Sequence, residues 1–300
     1  MTGNNDGGPC LATLEGHSDF VLAVDWEPNN NRVATCSYDT TAKIWDLSGN
    51  CLLTFTQHSA VVSSIQWSYR GENIATASWD KTVKIWDPNT GIVSLTITQN
   101  GGSIECLAWS PEDRYIAVAG LSNVTIWDPI YGVSLKTFSN SDFAIGVAWS
   151  PDAKALAAGC DSKTGGRIWD RISGQTICTI PHLYTRPTWS PDGTRLLGDS
   201  GYGDGLTVWD PKTGQSEFSI PESGNPQSRS VVWSPDGKLI ANSARHNKVA
   251  VWDVATKQLV LAFEGHTADV RYVSFDKTGS RLASASLDKT AKIWRLDKID

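Results

Sequence analysis

The chain has 300 residues, 40% hydrophobic and 19% charged, with 26 basic against 32 acidic side chains and a net charge of −6. No apolar run is long enough to cross a bilayer, and a net negative charge gives no general attraction to phosphate backbones or anionic lipid, so neither a membrane span nor nucleic-acid binding is expected. The six cysteines (Cys10, Cys36, Cys51, Cys106, Cys160, Cys178) include no CxxC pair, which argues against a zinc site or disulfide framework and for buried or half-buried thiols in a reducing compartment.

The start, residues 1–9 (MTGNNDGGP), is small and polar. It reads as a flexible, linker-like segment without the basic and apolar stretches of a secretory signal, and a cytoplasmic location is expected. Residues 10–300 read as one domain. The first strand-like run is CLATL, Cys10 to Leu14, and from Val21 onward one pattern recurs. A strand ends in an aromatic residue, at Trp26, Trp67, Trp109, Trp149, Trp189, Trp233 and Phe275 in turn. A polar turn follows, written SPED, SPDA, SPDG and SPDG after the third to sixth of these; Pro presets φ, and the Asp side chain bonds the backbone two residues on.

Next comes a run of small or apolar residues (RVATCS, NIATAS, YIAVAG, RLASAS) and a second polar turn. The strand after it carries Trp45, Trp86, Trp127, Trp169, Trp209, Trp252 or Trp294. A fourth strand closes each unit but the last: CLLTF, IVSLTI, VSLKTF, QTICTI, QSEFSI, QLVLAF.

Members of the second Trp series lie 40 to 43 positions apart. Four strands of about five or six residues with four connections of about four residues need roughly 40, which matches. Such a unit has two apolar faces and must stack on its neighbours to bury them. On these residues the chain resembles the WD-repeat family, whose units pack radially as propeller blades. The resemblance implies an all-β fold, a closed seven-bladed β-propeller with four-stranded antiparallel blades.

The chain ends make closure specific. The last unit has only three strands, while one extra strand, Cys10 to Leu14, precedes the first. That strand is expected to pair beside Lys292 to Leu296, completing the last blade and removing exposed sheet edges.

Three units carry a His, hydroxyl, Asp and Trp at matching spacing: His17, Thr35, Asp39, Trp45; His58, Thr76, Asp80, Trp86; and His266, Ser284, Asp288, Trp294. A catalytic set is needed once, whereas this one recurs, always with an indole N–H that needs an acceptor when buried. In the family resembled, whose four strands are lettered a to d in the order described above, these residues link the strand-c indole to the turn between strands b and c, so the twelve are expected to be structural. They belong to the first, second and seventh units, which are neighbours once the ring closes, so hydrogen-bonded stability is expected beside the seam. The unit ending at Trp252 has Asn242 at the hydroxyl place and His246 at the Asp place. The third to fifth units carry irregular turns: a shortened one before Trp127, DSKTGG before Trp169 and DSGYGDG before Trp209.

Family resemblance also implies partner binding on the face where the d–a and b–c loops meet at the central channel. The position before the turn Asp gives Tyr38, Trp79 and Leu287, with Tyr202 and Arg245 as equivalents. Positions six and four before the first-series aromatic add Phe20, Glu105, Phe143, Asp269, Arg229 and Arg271. Aromatic and Arg side chains are common interface anchors. Arginines on the sixth and seventh units suit an acidic or phosphorylated motif.

The function expected is a non-catalytic scaffold, monomeric on its own, binding protein or peptide partners, with no cofactor and no metal. The alternative is a propeller that binds a small ligand, an anion or a sugar. An enzyme using the channel is a lesser alternative, since the expected lining offers only Glu105 and Asp269 as carboxylates and no grouped histidines.

Overall fold

Short runs of β-branched, aromatic and small residues between turn residues fit a pleated surface covered on both sides. The computed structural model describes residues 10–99, 101–121, 123–139, 143–160, 165–199, 205–220 and 230–296. Residues 1–9, Tyr202, Arg229 and most of the DSKTGG and DSGYGDG turns lie outside the described residues.

The chain opens with β1 (Cys10–Leu14). Blade I follows as β2 (Val21–Trp26), β3 (Arg32–Ser37), β4 (Ala42–Asp46) and β5 (Cys51–Phe55). Blade II is β6 (Val62–Trp67), β7 (Ile74–Ser78), β8 (Thr82–Trp86) and β9 (Val93–Thr98). Blade III is β10 (Cys106–Trp109), β11 (Ile116–Ala119), β12 (Asn123–Trp127) and β13 (Ser134–Ser139). Blade IV is β14 (Ala144–Trp149), β15 (Ala155–Cys160), β16 (Gly166–Asp170) and β17 (Thr176–Ile180). Blade V is β18 (Thr188–Trp189), β19 (Leu196–Asp199), β20 (Leu206–Trp209) and β21 (Ser216–Ile220). Blade VI is β22 (Val231–Trp233), β23 (Leu239–Ala244), β24 (Lys248–Asp253) and β25 (Leu259–Phe263). Blade VII is β26 (Val270–Phe275), β27 (Arg281–Ser286) and β28 (Ala291–Arg295), with β1 as its fourth strand.

Every sheet is four-stranded and antiparallel, six of them simple meanders and the seventh completed by β1, and the seven make the ring. The closing pair runs Cys10↔Trp294 to Leu14↔Ala291, with an irregularity between Cys10 and Ala12. Lys292 Nζ reaches Thr13 Oγ1 across it at 2.9 Å.

The buried apolar residues fall into seven clusters, each shared by two successive blades. Between blades I and II, for example, Ile44 and Phe55 meet Ile65, Trp67 and Trp86, with the Phe55 and Trp86 rings stacked 4.5 Å apart. No blade has a core of its own, which is why a single unit cannot stand alone.

Polar clasps near the axis add to this packing. Asp25 Oδ2 accepts the backbone N–H of Trp67, and Gln66 Oε1 that of Trp109, both at 2.8 Å. Where the equivalent residue is alanine or serine, the neighbouring indole donates to its carbonyl instead: Trp149 to Ala108, Trp189 to Ala148, Trp26 to Ser274.

The a–b turns each hold one residue with left-handed φ. It is glycine in four blades (Gly71, Gly193, Gly237, Gly279) and Asn30, Asp113 or Ala153 in the others.

None of the six cysteines is in a disulfide. Cys36, Cys106 and Cys160 are buried, but Cys10 and Cys51 are exposed, which corrects the expectation of buried or half-buried thiols. Both begin an outermost strand of a blade, where one face meets solvent.

Candidate functional site

The repeated polar set forms one continuous relay in each of blades I, II and VII. In blade II the Trp86 indole donates to Thr76 Oγ1 (3.3 Å), Thr76 contacts His58 Nε2 (2.9 Å), and His58 Nδ1 contacts Asp80 Oδ2 (2.8 Å). The same three contacts join Trp45, Thr35, His17 and Asp39, each at 2.8 Å, and Trp294, Ser284, His266 and Asp288 at 2.7–2.8 Å. One proton arrangement satisfies every member: a neutral imidazole with its proton on Nδ1, the hydroxyl donating to Nε2 and accepting from the indole.

Three further donors reach each carboxylate, the hydroxyl and backbone N–H of a turn threonine (Thr41, Thr82, Thr290) and the backbone N–H after the histidine. Burial pushes the Asp39, Asp80 and Asp288 carboxyls up, but these hydrogen bonds outweigh it and hold all three well below the usual carboxylate range. Burial dominates at His58 and lowers its pKa despite Asp80. The oxygens and ring nitrogens of the set are thus engaged in hydrogen bonds within the blade.

In the register of the sheets, Thr35, Thr76 and Ser284 lie two residues beyond the partner of the strand-c Trp. The equivalents are Val118, Ala158, Gly198 and Asn242 in blades III to VI. Asn242 Oδ1 accepts the Trp252 indole at 2.9 Å, whereas His246 is exposed. Val118 has no acceptor to offer, and the buried Trp127 Nε1 has no partner. In blades IV and V packing replaces the relay. Leu183 is fully buried there, and a Cβ at Gly166 or Gly198 would lie 2.6 or 2.3 Å from its side chain.

On the face carrying the d–a loops and b–c turns, backbone bonds join the turn positions to the d–a loops: Tyr38 N to Phe20 O, Trp79 N to Val61 O and Leu287 N to Asp269 O. Phe20, Tyr38 and Trp79 form a row of edge-to-face rings, with centroids 5.7 and 5.3 Å apart. Tyr38, Trp79, Glu105 and Arg271 line a well at the channel mouth with Leu22, Ser63, Ile145, Arg186 and Tyr272. The well holds about 70 Å³, and the Trp79 indole N–H is buried without a partner. Phe20 lies beside this well, while Phe143, Leu287 and Asp269 are half-buried outside its lining and Arg245 is exposed on blade VI.

Arg186 was not among the residues expected here. It extends from blade V past Gly146 of blade IV, where a Cβ would fall 2.4 Å from its own Cα and Cγ. Its Nη2 donates to the carbonyls of Ser63 (3.2 Å) and Glu105 (3.0 Å) on blades II and III, and its guanidinium stands 5.2 Å from the Tyr272 ring centre on blade VII.

Arg186 and Tyr272 line both the upper well and a larger cavity of about 620 Å³ below it, and so form a septum across the channel. The sequence held a signal for this pair. Three places before the first-series aromatic stand Ala23, Ser64, Cys106, Gly146 and Ser230, and only Arg186 and Tyr272 are large.

On the opposite rim, the c–d turns of blades II to IV expose Ile92, Ile130, Tyr131 and Ile172, each 66–76% accessible, which the sequence reading did not single out. Among the described residues no group of three or more His, Cys, Asp or Glu could hold a metal ion, and no helix is long and apolar enough to cross a membrane.

Comparison with known proteins agrees with this architecture. The family model "WD domain, G-beta repeat" matches residues 8–46, 49–87, 92–128, 219–253 and 257–295, which is more than half of the chain. The WD repeat-containing protein 26 homolog of Arabidopsis thaliana is 25% identical over 96% of this chain and 50% of its own length. Pre-mRNA-processing factor 19 of Oryza sativa subsp. japonica is 38% identical over 26% of the chain and 14% of its own length. The ribosome biogenesis protein WDR12 homolog of Anopheles gambiae is 30% identical over 51% and 37%. The chain thus spans half or less of the length of these relatives. With five matched repeats and a closed ring of seven four-stranded blades, the chain belongs to the WD-repeat family of β-propellers.

Proposed function

We propose that the chain is a non-catalytic scaffold that holds a protein or peptide partner against the aromatic row Phe20, Tyr38 and Trp79 and the well beside it. The carrying observation is Trp79. Its indole N–H is buried without an acceptor at the mouth of the channel, in a turn whose blade I and blade VII counterparts are Tyr38 and Leu287. A partner backbone carbonyl or carboxylate on that N–H would recover the 1–3 kcal/mol that an unmade buried hydrogen bond costs, about. Arg271 in the well and Arg245 on the adjoining blade favour an acidic or phosphorylated segment, and Glu105 on the opposite wall sets its register.

The test compares capture of partners from source lysate by wild type, Trp79→Ala and Arg271→Ala. The reading expects both variants to lose the same partners, Trp79→Ala more strongly, while circular dichroism shows them folded. Equal recovery by folded Trp79→Ala would refute this face; loss of capture in an Ile130→Ser/Tyr131→Ser variant instead would move the partner to the opposite rim.

A further inference from the structure

Below the septum the channel is a cup, closed above by Arg186 and Tyr272 and rimmed below by prolines of the a–b turns. Its volume, about 620 Å³, lies within the range of small-molecule sites, roughly 300–1,000 Å³. The closed end carries a guanidinium whose charge is unbalanced: among the described residues no carboxylate lies within 4.0 Å of Arg186. Two backbone carbonyls take Nη2 and the Tyr272 side chain accepts a further hydrogen bond from the guanidinium, but these neutral acceptors leave the charge itself uncompensated. An unpaired charge away from bulk water is expensive, and an oxyanion seated on the planar fork of donors would offset that cost. The side walls carry apolar side chains, Leu107, Val147, Val231 and Phe275 among them, interspersed with the polar Ser64, Gln66, Thr188 and Ser230.

We propose that this cup binds a small amphipathic monocarboxylate, with its carboxylate on Arg186 and its apolar body along these walls. The site is separate from the partner face proposed above, because the septum lies between them.

Among the described residues Asp25 is the one carboxylate in the cup lining, and no cation pairs with it. Tyr69, Tyr272, Cys106 and Arg186 face it across the cup, and Glu27 and Lys277 lie on the outer side. Burial pushes its pKa up to about 7 against two backbone hydrogen bonds. An ionised Asp25 opposes a second carboxylate, so the cup holds its ligand more tightly as pH falls from 8 to 6, by up to about tenfold if only the protonated form accepts it.

Benzoate and its neutral counterpart benzamide are suitable probes, followed by calorimetry and thermal shift at fixed ionic strength. Benzoate is expected to bind and to raise the melting temperature, and benzamide is not. Arg186→Gln should weaken benzoate at least about tenfold, the loss expected for a charged hydrogen bond. Because Arg186 also ties blades together, Val232→Trp serves as a second variant: it fills the cup, leaves Arg186 in place and should abolish binding. Asp25→Asn should tighten benzoate at pH 8 and flatten its pH dependence. No benzoate binding by wild type, equal binding of benzamide, or undiminished benzoate binding in Val232→Trp overturns the proposal. Loss of benzoate binding in folded Trp79→Ala would place the anion in the upper well and overturn it as well.

Discussion

Blades VII, I and II and blades IV and V solve one problem by opposite means. Each must fix a strand-c tryptophan and the end of the b–c turn above it. Around the seam this is done with the indole, hydroxyl, imidazole and carboxylate relay, each member within 3.3 Å of the next. Around Trp169 and Trp209 the hydroxyl positions are Ala158 and Gly198, and Leu183 fills the space released by Gly166 and Gly198. The family model matches the first group and passes over 129–218, which contains the second. A relay is directional and fails if one partner is lost, whereas packing asks only for volume. The propeller thus tolerates divergent sequence in part of its ring, provided that side-chain volume is conserved across the blade interface.

The largest expected effect tests the packed side. Leu183→Ala would empty a fully buried site between blades IV and V and should cost about 2–5 kcal/mol in denaturant unfolding. A cost below about 1 kcal/mol would mean that Leu183 does not replace the relay. Hydrogen exchange extends the test to the intact chain. Backbone amides around Trp45, Trp86 and Trp294 should exchange more slowly than those around Trp169 and Trp209, and the reverse order would break the comparison.

On the relay side, Asp80→Asn removes a charged acceptor that serves His58, Thr82 and the Ser59 N–H. Loss of about 1–3 kcal/mol is expected, read as a lower melting temperature with partner affinity nearly unchanged. A large affinity loss in folded protein would instead put the relay in the binding site.

The same groups set the response to acid. Asp39, Asp80 and Asp288 are held below their ordinary values, so their stabilisation is complete above the ordinary carboxylate range and disappears as pH falls through the folded-state values. His58, kept neutral by burial, adds a loss that begins as pH drops below the ordinary imidazole value. Asp25 runs the other way: raised to about 7, it favours the folded state below the ordinary carboxylate value and withdraws that contribution as pH rises toward 7. Asp25→Asn should therefore raise the melting temperature more at pH 8 than at pH 4, and an equal gain at both would argue against a strained carboxyl.

Much of this fold was legible in the sequence, because tryptophans at fixed spacing and a strand count at the two ends depend only on chain order. Cys10–Leu14 pairs with β28 for that reason. The relay was legible too, as four residue types at three recurring offsets. The place before the turn Asp found Tyr38 and Trp79, and counting back from the aromatics found Glu105 and Arg271, which the fold gathers into one well, but the same two counts also proposed Leu287 and Phe143, which lie outside it. Arg186 was missed because it acts through carbonyls and a ring contributed by three other blades, a relation across the axis that no local pattern records. The packing role of Leu183 was not legible either, since it depends on glycines 15 or more residues further along or behind it.

Blade III stands between the two solutions and offers the smallest and sharpest test. Its hydroxyl place is Val118, fully buried, and the indole of Trp127 on the paired strand has no acceptor. Threonine has nearly the shape of valine, so Val118→Thr would give Trp127 Nε1 a partner with little change in packing. If the missing acceptor is what separates this blade from the seam blades, the gain should be about 1 kcal/mol. No histidine waits to receive the new hydroxyl proton, however, and if that proton finds no backbone carbonyl the substitution will be neutral or worse. A gain would show that one hydrogen bond is worth having without the rest of the relay; a loss would show that the relay stabilises only as a complete set, and that blades IV and V stay stable by carrying none of it.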